Sequence, residues 1–155
     1  MKYPSAENGF YKGQAEIIIR SYRKLLAIDL IEAKQPVTAV AEALFYAPFA
    51  VLSHTVDADP VFNYANLKTL ELFGFSWDEL IGLPSRFSAE PGCQTDRDRL
   101  LKEVNQNGFI ENYTGVRLAK MGARFLIKNA VVWNLSDEEG VYVGQAACLK
   151  DWEFL

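Results

Sequence analysis

Metal and disulfide chemistry have little to work with in this sequence, which holds one histidine, His54, and two cysteines, Cys93 and Cys148. A metal ion needs about three or four converging donors, so no metal site is expected. Two distant cysteines make no disulfide framework, and a reducing, cytoplasmic home follows as the expectation. Excess positive charge is also missing: 16 Lys and Arg face 20 Asp and Glu, for a net charge of -4. Direct nucleic-acid binding is therefore not expected, because neutralising phosphates needs a basic face. The basic cluster Arg20-Ser21-Tyr22-Arg23-Lys24 reads as the solvated side of a helix. No hydrophobic run is long enough to cross a bilayer, since the most apolar window, 17–31, is broken by Arg20, Arg23, Lys24 and Asp29. Residues 1–13 lack a basic start followed by an apolar stretch, so neither an address label nor a membrane partner is expected. A glycine-rich phosphate loop, an internal repeat and a low-complexity tract are missing as well.

What the chain does have is apolar material: 50% of its 155 residues are hydrophobic and 13% aromatic, enough for one continuous core. Residues 14–34 read as a helix with Ile18, Tyr22, Leu25, Leu26 and Leu30 along one side, ended before Pro36. Thr38 is expected to cap a second helix through about Leu44. Residues 48–55 and 61–64 read as strands around the turn Val56-Asp57-Ala58-Asp59-Pro60. Asn66 can cap a helix carrying Leu67, Leu70, Leu72 and Phe73, which Gly74 ends. Ser76-Trp77-Asp78-Glu79 is a capping box for a one-turn helix. A further helix is predicted over 96–106, with Leu100, Leu101 and Val104 inward. The period then changes to two, giving strands over 109–118, 124–134 and 141–149. The fold class is α+β: a five-stranded antiparallel sheet (47–155) with helices on one face, preceded by a helical extension (1–46).

The stretch Asp59-Pro60-Val61-Phe62-Asn63-Tyr64-Ala65-Asn66, followed by Leu72-Phe73-Gly74-Phe75-Ser76-Trp77-Asp78-Glu79-Leu80-Ile81-Gly82, resembles the PAS pattern of strand, Asn-started helix and G-[YF]-S-x-x-E-L-x-G turn. The chain is more closely similar to the MEKHLA family, a PAS-like group that also forms the C-terminal domain of some plant homeodomain–leucine zipper regulators. That similarity spans about 52–152 and is carried by Leu52-Ser53-His54, Pro84-Ser85-Arg86-Phe87-Ser88-Ala89-Glu90-Pro91, Gly108-Phe109-Ile110, Tyr113-Thr114-Gly115-Val116-Arg117, Arg124-Phe125, Val132-Trp133-Asn134-Leu135 and Gly144-Gln145-Ala146-Ala147. It implies sensing or regulated association rather than catalysis. Gly82-Leu83-Pro84-Ser85-Arg86-Phe87 is similar to the G-x-N-C-R-F-L-Q stretch of flavin-binding blue-light domains, but Ser85 replaces the reactive Cys, Pro84 the Asn and Ala89 the Gln. A hydroxyl without an activating base is too weak a nucleophile, so flavin photoadduct chemistry is not expected. The cofactor is otherwise unassigned.

Candidate ligand-binding residues are His54, Asn63, Ser85, Arg86, Arg117, Trp133, Asn134 and Gln145. His54 could protonate beside Asp57 or Asp59 and act as a sensor or ligand, and the arginines could hold a carboxylate or phosphate, though structural ion pairs are the commoner use for them. Asparagine can both donate and accept in a cavity, Trp133 can stack, and the small residues around Gln145 permit close approach. Homodimerisation is expected through Tyr22, Leu25 and Leu26, with a separate signalling or regulatory protein receiving the output. Two rival classes stay open: a small cone-shaped α+β enzyme using His54 with Asp57 or Asp59 as acid or base, and an interaction domain with a filled core.

Overall fold

In the computed structural model, residues 2–31, 36–89 and 94–155 are described, save the side chains of 37, 38 and 94–97. The chain opens with a short turn of 3-10 helix, Ala6–Tyr11, in which Gly9, Phe10 and Tyr11 all adopt left-handed backbone. Helix α1 follows over Lys12–Leu26. It stops earlier than its apolar pattern predicts because Ala27 turns left-handed and returns its N–H to the Arg23 carbonyl. The remainder of that predicted helix, 32–34, lies outside the described residues. Helix α2 (Val37–Phe45) has Pro36 at its N-cap, ahead of the expected start, as suits a residue with no N–H to satisfy.

Strands β1 (Ala50–His54) and β2 (Phe62–Ala65) form the predicted hairpin. Helices α3 (Leu67–Phe73) and α4 (Trp77–Leu80) follow, then a 3-10 turn at Ser85–Ser88 and helix α5 (Gln94–Asn107). The long strands are β3 (Phe109–Leu118), β4 (Arg124–Ser136) and β5 (Tyr142–Leu149). The sheet has six strands rather than the expected five, in the order β2-β1-β5-β4-β3 with β6 (Asp151–Phe154) also on β4. The extra strand arises because β4 outruns β5. The later half of β4 pairs β5 from Val131 onward, and its first half pairs β6 from Phe125 to Lys128.

Helices cover both faces of this sheet, where one covered face was expected. Neighbouring residues of a strand point to opposite faces. Val132 packs on Leu100 and Val104 of α5, while Trp133 packs on Tyr22 of α1, their rings edge to face at 4.8 Å. The buried side of α1 is Ala15, Ile18, Ser21 and Tyr22, a helical stripe. Two polar contacts tie it down: the Trp133 indole N–H donates to the Ile18 carbonyl, and the Ser136 N–H donates to the Ser21 hydroxyl. Tyr22, expected at a dimer contact, is 5% exposed and already committed to its own sheet. Leu25 and Leu26 are half-buried.

Asn66 is the polar joint of the fold. Its side-chain oxygen accepts from the N–H groups of Thr69 and Val51, and its amide donates to the carbonyls of Leu44 and Phe49. It thus caps α3, pins β1 and fastens the end of α2, at 0% exposure. Asn66→Ala strips these buried backbone groups of that partner and is expected to cost about 3–5 kcal/mol, read as a lowered denaturant midpoint. A loss below about 1 kcal/mol would mean that water replaces the carboxamide there.

The capping box forms as predicted, with Ser76 and Glu79 bonding each other's backbone N–H, and the Lys120 ammonium joins Glu79. That ammonium, followed by the Ser76 backbone and hydroxyl, holds the Glu79 carboxyl at about 2 against an ordinary 4.5. A depressed carboxyl contributes its stability above its unfolded pKa and loses it as pH falls through the folded one. The stability gap between the parent and Glu79→Gln is therefore expected to be full at pH 7 and to close between about pH 4.5 and 2. Thermal unfolding across that range checks it.

Candidate functional site

A cavity of about 70 Å³ lies between the inner face of the sheet and the helices. Most of its walls are apolar: Leu52, Phe62, Phe73, Leu100, Ile127 and Leu149. The predicted residues His54, Ser85, Arg117 and Gln145 come together on it, joined by Ser88. They come from β1, the 3-10 turn after α4, β3 and β5, so only the folded chain assembles them.

Each is positioned by a local device. Gln145 is 2% exposed and donates both amide hydrogens, to Asn134 at 2.9 Å and to Asn105 at 3.0 Å. Only its carbonyl oxygen, an acceptor, is left for a ligand. Asn134 in turn donates to the Val104 carbonyl, so it stands one step behind the wall and braces it. His54 Nδ1 lies 2.9 Å from the Thr55 carbonyl oxygen. Beside it the β1–β5 pair needs Gly144, since a Cβ there would sit 2.4 Å from the His54 carbonyl oxygen. Ser85, 2% exposed, gives its N–H to the Pro60 carbonyl, and its own carbonyl accepts from the Ser88 hydroxyl.

Arg117 is set by a second glycine. The Tyr113 ring lies along β3 across Gly115, where a Cβ would come within 2.5 Å of the phenol oxygen. The Arg117 guanidinium then rests 5.4 Å from that ring's centre, donating to the Tyr113 hydroxyl at 3.4 Å and to the Val116 carbonyl at 2.9 Å.

Other predicted site residues are elsewhere. Trp133 is on the opposite face under α1, for a reason visible in the backbone: Asn129 adopts left-handed φ, 53°, and the β3–β4 register shifts nearby. Phe125 and Ile127 face the helices before that bulge, Val132 after it, so Trp133 turns outward. Arg86 is exposed, paired with Asp59 and stacked on Phe87. Asn63 accepts from the Ser53 hydroxyl at 2.6 Å. Asp57 accepts from the Thr55 hydroxyl, so the two acids proposed to serve His54 are engaged with Thr55 and Arg86. Sequence reasoning missed Ser88, whose spacing of three from Ser85 was the available signal, and the apolar walls of β4, whose parity the bulge hides.

The fold is that of PAS and Light-Oxygen-Voltage domains. The sequence model of the MEKHLA domain matches residues 12–154, and the chain belongs to that family. The match includes α1, which the resemblance beginning near Leu52 left out. Homeobox-leucine zipper protein HOX10 of Oryza sativa, in subspecies indica and japonica alike, is 25% identical over 143 residues, covering 91% of this chain. The chain spans 17% of the length of those curated relatives. A PAS domain from Colwellia psychrerythraea superposes with a TM-score of 0.63 at 20% identity, over 72% of this chain and 92% of that one. A Light-Oxygen-Voltage domain studied with a flavin analogue gives 0.59 at 19%, covering 76% and 84%. An RNA-binding Light-Oxygen-Voltage receptor gives 0.65 at 18%, covering 79% of this chain and 35% of the receptor.

The residues present do not fit the flavin of such neighbours. A cavity of about 70 Å³ is well short of the roughly 300–1,000 Å³ of organic-ligand sites. Ser85 brings a hydroxyl, and Cys148 lies on β5 one residue from Ala147, on the opposite face, with burial pushing its thiol up to about 12. Cys93 lies outside the described residues. The thiol therefore stays protonated, and unreactive, near neutral pH. Native alkylation followed by peptide mapping is expected to leave Cys148 unmodified until the chain is unfolded. Stoichiometric labelling of the folded protein would contradict its burial.

Proposed function

We propose that the chain is a non-catalytic sensory or regulatory module that takes a small ligand in its inner cavity and reports to a separate protein partner. The observation carrying this reading is the convergence of His54, Ser85, Arg117 and Gln145, from four separate segments, on one mostly apolar cavity. Ligand sites are built that way, with apolar walls and a few fixed polar groups. Packing alone would not need a buried Gln145 held by two asparagines.

Residues 1–46 act in this reading as a helical cover for the sheet domain of 47–155. The half-buried Leu25 and Leu26, near the end of α1, are the contacts for a homodimer. A cytoplasmic home and the absence of a nucleic-acid partner belong to the same proposal. Supporting the latter, Arg20 pairs with Glu16 and Glu138, and Arg23 with Asp29, which neutralises much of the basic cluster. Among the described residues no helix is long and apolar enough to cross a membrane.

Native mass spectrometry of freshly purified protein, beside an Ala147→Phe variant that fills the cavity, tests the reading. A dimer carrying excess mass in the parent, lost in the variant, is the expected result. A bare monomer, with a small-molecule panel shifting neither protein's unfolding temperature, would overturn it.

A further inference from the structure

We infer that the cavity ligand is a small monocarboxylate with a short apolar tail, its carboxylate held by Arg117; this rests on reading the cavity as a ligand site. Arg117 is a half-buried cation on the cavity wall whose partners are both neutral, the Val116 carbonyl and the Tyr113 hydroxyl. Among the described residues no carboxylate lies within ion-pairing distance of it, whereas Arg20, Arg23 and Arg86, on the surface, each meet one. A charge withdrawn from water without a counter-ion is costly, and a guanidinium fork matches a carboxylate through two parallel hydrogen bonds. Two of its donors are engaged, so part of the fork remains for a ligand. The Tyr113 ring, lying across Gly115, stands beside the guanidinium, and its hydroxyl accepts one of the guanidinium's hydrogen bonds.

The rest of the cavity sets the tail. Most of the remaining wall is hydrocarbon, and besides Arg117 only the His54 ring among its lining side chains can carry a charge, so a second charged group on the ligand finds little to pair with there. At about 70 Å³, and with about 10–15 Å³ needed for each water-sized position, there is room for about five to seven such positions. Butyrate and pentanoate are of that size, and octanoate exceeds it. Lengthening the tail inside the cavity should tighten binding about fourfold per methylene, until the walls are reached.

Titration calorimetry with propionate, butyrate, pentanoate and octanoate, alongside butyramide and pentanamide, tests this on the full chain, Arg117→Gln, Arg117→Lys and Ala147→Phe. Butyrate and pentanoate should bind at least tenfold more tightly than their amides, with octanoate weaker than pentanoate. Arg117→Gln should reduce the acids to the level of the amides and leave the amides unchanged. If that variant does not fold, Arg117→Lys decides the same point by weakening the acids at least threefold while the amides hold. Equal binding of acid and amide in the parent, or acids indifferent to both Arg117 variants, would overturn the carboxylate assignment. In that case amide binding abolished by Ala147→Phe would leave the ligand site standing. Binding of no probe to the parent would overturn the assignment too, and an Ala147→Phe protein equal to the parent in stability and native mass would remove the ligand site with it.

Discussion

The carboxamide of Asn66 joins parts of the chain far apart in sequence. Backbone groups from Leu44, Phe49, Val51 and Thr69 converge on it, so one side chain serves two helices and a strand. Thr69 adds its hydroxyl, which lies 2.9 Å from the Asn66 oxygen and 3.0 Å from the Val51 carbonyl, with one proton to serve either. This joint fixes the angle at which α3 leaves β2 and crosses β1. Phe73, at the far end of α3, then meets Phe125 of β4 edge to face at 5.1 Å. The cavity is the space left between α3, α5 and the sheet once that angle is set. Its dimensions therefore depend on a hydrogen-bonding residue that does not touch it.

Covering the second face of the sheet has a different consequence. Trp133 at 0% exposure and Tyr22 at 5% make α1 a structural layer, consistent with a family match that begins at Lys12. An outer sheet face so occupied offers little to a second copy of the chain. What α1 leaves accessible is its end, where Leu25 lies against Gly108, with a Cβ there only 3.0 Å from its methyl. Gly108 terminates α5, so a partner on Leu25 would also feel the helix that forms one wall of the cavity. That is a physical link between the cavity wall and a surface contact.

Much of this architecture could be read from local chemistry. Asn66, Gly74 and the Ser76–Glu79 box act within a few residues of themselves, and each performs in the structure as its residue type dictates. Long-range choices left weaker traces. That α1 would lie over Trp133 depends on a pairing of residues 115 positions apart, the distance from Ser21 to Ser136. Strand β6, Asp151–Phe154, alternates acidic and aromatic residues over too short a stretch to announce itself, and it lies along the part of β4 that β5 leaves unpaired. The site divided in the same way. His54, Ser85, Arg117 and Gln145 line the cavity, whereas Trp133, which the sequence offers as a stacking residue, lies on the other face because the bulge at Asn129 switches the parity of β4, which residue types alone do not reveal.

The likeness to Light-Oxygen-Voltage domains shows how little the fold decides about chemistry. The backbone follows theirs closely enough to superpose over three quarters of the chain, 76% of it in one case. The side chains facing inward differ in kind. Ser85 provides no thiol, and the hydrocarbon of Phe62, Phe73, Ile127 and Leu149 closes the volume down to about 70 Å³. In the proposed reading a cavity this small gains nothing from the area of a large ring, so discrimination rests on charge and on the length of a short tail. Arg117 supplies that charge, and Tyr113 and Gly115 keep it in place. In that reading the group that selects for charge sits on one strand, β3. The same strand packs against α5, whose far end lies beside Leu25, so a ligand drawing on Arg117 would pull on the wall that leads to the surface.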